Sequence, residues 1–180
     1  MYEDIKTVLL TEEKIAERVK EMGAQITKDY AGKDLVLVVL LKGAAWFAMD
    51  LSRAINLPLR VDFMVASSYG NGTTTSGNVK VSLDIREDIR GKDVLLIDDI
   101  IDSGVTFAAI SEMLRQHKPA SLKTVALCDK AERRINGLEC DYVGFKIPDE
   151  FVVGYGLDYA GDYRNLPFIG VLKPSVYGRS

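Results

Sequence analysis

Apolar and polar positions follow two periods along the chain, and together they predict helices interleaved with strands. Residues 11–30 carry apolar side chains at helical spacing, with Thr11 placed to cap the helix start and Gly32 to end it. The run LVLVVLL at 35–41 is apolar at every position, which is typical of a central parallel strand covered on both faces. A second helix is predicted over 44–55.

The same alternation continues toward the C-terminus. Strands that alternate with helices indicate one α/β domain over residues 1–180, with a mainly parallel sheet flanked by helices. Short strands are also expected at YVGF, FVVG and FIGVL. The remaining predictions are strands at 59–66, 79–84, 94–97 and 123–129, a polar mobile loop at about 67–78, and a helix at 107–117.

Charge and composition exclude several classes of protein. The chain has 23 basic and 26 acidic residues, a net charge of −3, which argues against a general nucleic-acid binder. No apolar run reaches the roughly 18 residues that span a bilayer, and the first residues do not resemble a signal peptide. Cys128 and Cys140 match no zinc or redox motif, so we expect two reduced thiols in a cytoplasmic protein without membrane partners.

The stretch VLLIDDIIDSGVTF at 94–107 places three carboxylates directly after a buried strand. The first N–H groups of the helix that follows have no partner within the helix, and Gly104 lets a ligand approach the backbone. This arrangement predicts a phosphate cradle. Asp98 and Asp99 would bind a sugar diol or a metal ion, and Asp102 could accept a proton.

Simpler structures could also produce such a stretch. Asp102 and Ser103 could be a plain helix cap, and the acids could simply end a strand. A Walker B strand also leads into acids, but it needs a G-x-x-x-x-G-K-[ST] loop, which the chain lacks. The glycine-rich segments fail the G-x-G-x-x-G spacing of a dinucleotide site.

The complete string resembles the phosphoribosyl-pyrophosphate motif of type I phosphoribosyltransferases. LKGAAWF, SSYGNGTTTSGNVKV, ALCDK and the stretch YVGFKIPDEFVVGYGLDYAGDYRNLPFIGVL are similar to the hypoxanthine-guanine branch of that family, in consistent order over roughly residues 35–172. The resemblance implies a Rossmann-like core plus a small hood formed by the N- and C-terminal segments. It also implies Mg²⁺ dependence and a homodimer or homotetramer.

The resemblance implies that a purine displaces pyrophosphate at ribose C1. Hypoxanthine or guanine and phosphoribosyl pyrophosphate (PRPP) would give IMP or GMP, with Asp102 as general base toward N7 of the purine. Lys130 would donate to the 6-oxo group, which disfavours adenine. Phe151 would stack on the purine, and the Val152 backbone would contact its 2-position.

The remaining roles implied by the resemblance concern the phosphates, the metal and a lid. The backbone cradle with its two hydroxyls would hold the 5′-phosphate, and a cis peptide is expected beside the pyrophosphate-binding loop. These roles fall to Ser103, Gly104, Val105 and Thr106 (5′-phosphate), Asp98 and Asp99 (ribose and Mg²⁺), Asp158 (a second Mg²⁺), Lys42, Gly43 and Arg164 (pyrophosphate), and Ser68 and Tyr69 (lid).

Two alternatives remain open from the sequence. One is a relative that prefers xanthine or adenine, of which Lys130 argues against adenine only. The other is a regulator that keeps the ribosyl-pyrophosphate site and binds nucleic acid. Such a protein could lose Asp102 or Lys130 and should gain a basic face, whereas this chain keeps both residues.

Overall fold

The computed structural model describes residues 1–68 and 79–178, and it has the predicted alternation of strands and helices. Short 3₁₀ segments lie at Tyr2–Asp4 and Ala131–Arg133. The helices are α1 (Glu12–Asp29), α2 (Ala45–Ala54), α3 (Val105–Gln116) and α4 (Pro174–Tyr177). The strands are β1 (Ile5–Leu10), β2 (Leu35–Leu41), β3 (Leu59–Ser68), β4 (Val79–Leu83), β5 (Asp93–Ile101), β6 (Ser121–Asp129), β7 (Tyr142–Lys146), β8 (Val152–Val153) and β9 (Ile169–Leu172).

The larger sheet in the described residues has six strands in the order β4-β3-β2-β5-β6-β7. Strands β3, β2, β5, β6 and β7 are parallel, and β4 pairs antiparallel with β3 at one edge. The parallel sheet brings the carboxyl ends of its strands to one edge, which is where open α/β sheets bind ligands.

Two apolar layers cover the central strand β2. Leu35, Leu37 and Val39 pack into the layer under α1 and α2, while Val36, Val38 and Leu40 pack into the layer under α3. Because successive side chains of a strand point to opposite faces, both faces need apolar residues. This confirms that the unbroken run at 35–41 is a strand covered on both sides.

A second, antiparallel sheet of three strands joins the two ends of the chain in the order β1-β9-β8. Strand β1 was not predicted, and neither was α4. Their side chains give weak local signals, since β1 has one buried residue and α4 has a single turn. The place of β1 is set by pairing with a segment more than 150 residues away.

One strand differs from its predicted length in a way that matters for function. The strand predicted at 94–97 extends through the acids to Ile101, because β5 keeps its pairing with β6 at Asp98, Ile100 and Ile101. Its pairing with β2 ends at Ile97. In the described ranges no helix is both long and apolar enough to cross a membrane.

Candidate active site

Three neighbouring parallel strands deliver functional groups to the same edge of the large sheet. β2 ends at Leu41, directly before Lys42, and β6 ends at Asp129, directly before Lys130. Between them, β5 carries Asp98 and Asp99 near its carboxyl end. The structure thus brings Lys42, the acids of β5 and Lys130, all named as candidate site residues from the sequence, to the same edge.

A cavity of about 220 Å³ lies beside the start of α3 and contains the predicted phosphate cradle. Gly104 takes a left-handed conformation with φ of 81°, and α3 begins at the next residue, Val105. The positive φ favours glycine, because other residues rarely adopt it. The cavity is lined by Asp98, Ile100, Ile101, Asp102, Ser103, Gly104, Thr106 and Phe107.

Asp98 and Asp99 are adjacent on β5 and have different neighbours. Asp98 lines the cradle cavity, whereas Asp99 packs against Gly43, where an added Cβ would lie 1.6 Å from Oδ2 of Asp99. Burial raises the pKa of Asp98 well above its usual range, and the neighbouring Asp99 charge adds to this. Burial also raises the pKa of Asp99. This strand end therefore favours a cation or hydrogen-bond donors near both carboxylates.

Asp102 and Lys130 face each other across the mouth of the cradle. Nζ of Lys130 lies 3.7 Å from Oδ1 of Asp102 and 3.9 Å from Oδ1 of Asp149. Lys130 is only 6% exposed. Oδ1 of Asp102 is buried and accepts no hydrogen bond within the described residues. A buried acceptor without a donor is costly, so this oxygen is available to a donor on a ligand.

The C-terminal loop closes the side of the site next to Gly43. Nη2 of Arg164 lies 2.9 Å from Oδ1 of Asp158, and Nη1 donates to the Gly156 carbonyl at 2.6 Å. An added Cβ at Gly156 would lie 2.0 Å from the Gly43 carbonyl oxygen, so the two loops touch backbone to backbone. Arg164 and Asp158, predicted to act separately, are paired with each other in this structure.

Phe151 directly precedes β8 and is 39% exposed. Its ring stacks on Tyr177 of α4 with centroids 4.9 Å apart and an interplanar angle of 22°. Tyr159 meets it edge-on at 5.6 Å. One ring face is therefore backed by Tyr177, while Val152 beside it pairs with Val171 in the small sheet.

Of two further predicted loops, the structure describes the one at Lys42 completely and the lid only in part. The peptide bond between Leu41 and Lys42 is cis, as the resemblance implied for this loop, and Lys42 is exposed. Strand β3 ends at Ser68. Tyr69 and the rest of the predicted lid to residue 78 lie outside the described residues.

Comparison with known proteins settles the family. The phosphoribosyl transferase domain matches residues 7–160. The chain belongs to this family. This phosphoribosyltransferase is 54% identical to a hypoxanthine-guanine phosphoribosyltransferase of Staphylococcus aureus over 98% of its length and 99% of that protein.

Solved structures agree with this assignment. This phosphoribosyltransferase matches a crystal structure of a hypoxanthine phosphoribosyltransferase from Staphylococcus aureus with a TM-score of 0.96 and 54% identity, over 98% of this chain and 96% of that one. It also matches a hypoxanthine phosphoribosyltransferase mutant from Trypanosoma cruzi in a ternary complex with substrates. That match has a TM-score of 0.94 and 45% identity, over 98% of this chain and 100% of the other. The α/β fold implied by the resemblance is confirmed.

Sequence reasoning missed several residues that shape the site of this phosphoribosyltransferase. No local pattern distinguishes them, because each acts through a contact distant in sequence. Arg134 and Asn136 contact the backbone of the cradle 32 residues earlier, and Tyr177 backs Phe151 from the last helix.

Proposed function

We propose that this phosphoribosyltransferase works in purine salvage, transferring the 5-phosphoribosyl group of PRPP to hypoxanthine or guanine. The products are IMP or GMP and pyrophosphate. The similar protein from Staphylococcus aureus carries that activity in its name, and the relative from Trypanosoma cruzi binds its substrates in a ternary complex. Near-complete coverage of both chains supports carrying the activity over.

One observation carries the proposal: the buried Oδ1 of Asp102 accepts no hydrogen bond from the part of the chain that the structure describes, and it lies 3.7 Å from the buried ammonium of Lys130. A 6-oxopurine can satisfy both groups at once. Its N7–H is a donor for Asp102, and its 6-oxo group is an acceptor for Lys130. The 6-amino group of adenine is a donor, so adenine would leave the lysine without an acceptor in this pose.

The reaction is a displacement at C1 of the ribose. The purine N9 forms a bond to C1, while the bond from C1 to the pyrophosphate oxygen breaks and its electron pair leaves with pyrophosphate. The proton on N7 passes to Asp102 as charge builds on the ring. Positive charge on the sugar in the transition state is close to the carboxylates of Asp98 and Asp99, which lie at this edge of the sheet.

The cradle binds the 5′-phosphate in this proposal. In this proposal the phosphate is bound by the backbone N–H groups from Asp102 to Thr106 and the hydroxyls of Ser103 and Thr106, beside the 220 Å³ cavity at the start of α3 that Asp102, Ser103, Gly104 and Thr106 help to line. A helix start attracts an anion through free N–H groups and the helix dipole. The phosphate anchors the ribose so that C1 faces Asp102 and Lys130.

Phe151 and Val152 form the wall of the purine pocket. With Tyr177 stacked on one face of Phe151, the other face is left for the base. The Val152 backbone contacts the 2-position, which either hydrogen or the amino group of guanine can occupy. This contact favours neither hypoxanthine nor guanine strongly.

Pyrophosphate binding falls to the loops that meet beside Asp99. Lys42 and Gly43 supply backbone amides, and Arg164 pairs with pyrophosphate oxygens in fork geometry. Arg164 is held by Asp158 and Gly156 in this structure, so pyrophosphate must compete with the Asp158 carboxylate for it. Departure of pyrophosphate would restore the internal ion pair.

The acids of the site fit Mg²⁺. Within residues 1–68 and 79–178, no group of three His, Cys, Asp or Glu side chains is arranged to hold a metal. Mg²⁺ is commonly held by one or two carboxylates together with substrate phosphates and water, and Asp98, Asp99 and Asp158 supply such carboxylates. When bound with PRPP, the ion neutralises the charge that develops on pyrophosphate.

Three further features complete the proposal. Ser68 and Tyr69 begin a lid that excludes water, and the small sheet of β1, β9 and β8 acts as a hood over the purine. The enzyme acts in the cytoplasm as a homodimer or homotetramer, without nucleic-acid or membrane partners. These assignments rest on the family resemblance.

A purine panel tests the function. Purified protein is supplied with PRPP and Mg²⁺ and offered hypoxanthine, guanine, xanthine and adenine in turn, with nucleotide formation followed by chromatography. We expect rapid formation of IMP and GMP and little AMP. Efficient use of adenine would contradict the role of Lys130, and no nucleotide with any base would contradict the proposed activity.

A further inference from the structure

The segment 130–136 contacts the outer side of the phosphate cradle at four consecutive carbonyl groups. The Lys130 N–H donates to the Ile101 carbonyl at 3.0 Å, and the Ile135 N–H donates to the Ser103 carbonyl at 3.2 Å. The other two carbonyl groups accept hydrogen bonds from side chains. Nε of Arg134 donates to the Asp102 carbonyl at 3.2 Å, and Nδ2 of Asn136 donates to the Gly104 carbonyl at 3.0 Å.

These bonds hold the cradle amides in one direction, together with the first bond of α3, in which the Ala108 N–H donates to the Gly104 carbonyl at 2.9 Å. A trans peptide unit is planar, and its C=O and N–H point in opposite directions. When the carbonyls of residues 101–104 are held toward the segment 130–136, the N–H groups of residues 102–105 are directed away from it. Within the described residues, the N–H groups of Asp102, Ser103 and Gly104 donate to no protein acceptor.

Arg134 is the centre of this arrangement. Its side chain is 10% exposed and pairs with Asp129, which is 9% exposed at the end of β6. It also donates to the Leu138 carbonyl. One guanidinium thus ties the end of a core strand to the loop, because its planar fork can donate in several directions at once.

Asn136 and Arg134 also pack directly on Gly104. An added Cβ at Gly104 would lie 2.7 Å from Oδ1 of Asn136 and 2.8 Å from Cδ of Arg134. The side-chain carbonyl oxygen of Asn136 in turn accepts from the Leu138 N–H at 3.2 Å. The loop is therefore clamped from outside by two side chains, at a glycine whose φ of 81° other residues rarely adopt.

We propose that Arg134 and Asn136 are positioning residues for 5′-phosphate affinity: they touch no substrate and hold the cradle amides in the orientation that binds the phosphate. The inference rests on the proposed function, since it assumes that the cradle binds a 5′-phosphate. A cradle that is already ordered loses little conformational freedom on binding, so removing the clamp should weaken binding of the phosphate specifically.

The test measures what the phosphate adds to binding. Dissociation constants for guanosine and GMP are obtained by calorimetry for the wild type, Arg134→Lys and Asn136→Ala. Lysine at position 134 keeps the positive charge next to Asp129 but cannot make the several hydrogen bonds of the guanidinium group. Asn136 is exposed. Both variants should therefore fold. Arg133→Lys is the matched control, because Arg133 is half exposed and pairs with Asp149 at 3.6 Å.

We expect the ratio of the guanosine to the GMP dissociation constant to fall about tenfold in Arg134→Lys and about threefold in Asn136→Ala. The KM for PRPP should rise by similar factors, while the KM for guanine changes less than about twofold. The control should keep wild-type values.

Equal weakening of guanosine and GMP in Arg134→Lys, or a loss of GMP affinity that only follows a lower melting temperature, would overturn the positioning role alone. A wild-type protein that binds GMP no more tightly than guanosine would instead overturn the phosphate cradle on which the proposed function depends. The two failures are therefore distinguishable.

Discussion

The side chain of Asp102 is exposed in one part and buried in another. The side chain as a whole is 47% exposed, yet its Oδ1 is buried, lacks a hydrogen-bond donor in the described residues and faces Lys130. A residue that only capped a helix would bond to a nearby N–H group. The geometry instead suits a carboxylate that meets a donor on a bound base.

Asp102→Asn tests this role. The amide cannot take the N7 proton, while the backbone amides of the cradle remain, so we expect turnover to fall by roughly 10²–10⁴-fold with little change in PRPP affinity. Stopped-flow or chromatographic rates give the turnover, and calorimetry with PRPP and Mg²⁺ gives the affinity.

Asp84→Asn is the matched control for this experiment. Asp84 is exposed and follows the end of β4 that lies away from the site, so the same chemical change there should leave turnover intact. Weak PRPP binding by Asp102→Asn with chemistry preserved would contradict the division of roles between the acid and the cradle.

The two thiols give a residue-scale prediction about pH. Both cysteines are free, as expected from their spacing, and burial raises the pKa of Cys140 to about 11. Burial also raises the pKa of Cys128 strongly. Since only the thiolate is nucleophilic, the native protein at pH 8 should react with iodoacetamide roughly 100-fold more slowly than a free thiol of pKa about 9.

Labelling should accelerate as the pH rises toward about 11, because the thiolate fraction grows roughly tenfold for each pH unit below the pKa. Mass spectrometry of alkylated protein gives the rate, and urea-unfolded protein is the control. Fast labelling of native Cys140 at neutral pH would show that its side chain is not held in the partly buried position seen here.

At the scale of elements, contiguous signals could be predicted and contacts between distant segments could not. The strand at 35–41 and the acids of VLLIDDIIDSGVTF are each contained in one stretch, so the pattern predicted a strand covered on both faces and acids that follow a buried strand. The clamp by Arg134 and the ion pair between Arg164 and Asp158 depend on how loops meet after folding. No local sequence pattern indicates those contacts.

The last helix, α4, is an element whose role emerges only from the fold. It is a single turn, but its Tyr177 stacks on the ring of Phe151 with centroids 4.9 Å apart. The ring of Tyr159 packs against that of Tyr177. Stacked aromatic pairs contribute about 0.5–1.5 kcal/mol beyond the area they bury. The helix therefore fixes the plane of the ring that we propose stacks on the purine.

Tyr177→Ala should raise the KM for hypoxanthine by about 3- to 10-fold, because Phe151 loses its support on one face. The KM for PRPP should change little, since α4 does not line the cradle cavity. Steady-state kinetics with each substrate varied in turn gives both values. Tyr177→Phe keeps the stacked ring and should behave like the wild type, and an equal rise in both KM values would argue for general unfolding of the C-terminus instead.

At the scale of the whole molecule, the site joins parts that are separate in the chain. Groups from β2, β5 and β6 and from the C-terminal loop meet at one sheet edge, where Gly43 and Gly156 are in backbone contact. Only the folded protein offers this combination. A ligand that bridges the parts must therefore stabilise the fold, whereas the unfolded chain gains nothing from it.

PRPP with Mg²⁺ should raise the melting temperature by about 5–10 °C at a concentration roughly 100 times the dissociation constant, since binding then adds about 2.7 kcal/mol to a domain of 180 residues. We expect this dependence on Mg²⁺ because of the surroundings of Asp98 and Asp99. Burial raises the pKa of both carboxyls, which means that their charged forms are disfavoured at this strand end, and a cation bound with the anionic ligand would offset that cost. Thermal unfolding scans with PRPP and Mg²⁺, with PRPP and a chelator, and with Mg²⁺ alone separate the contributions. We expect the large shift only when both are present, and an equal shift with the chelator would show that the acids bind the sugar without any metal.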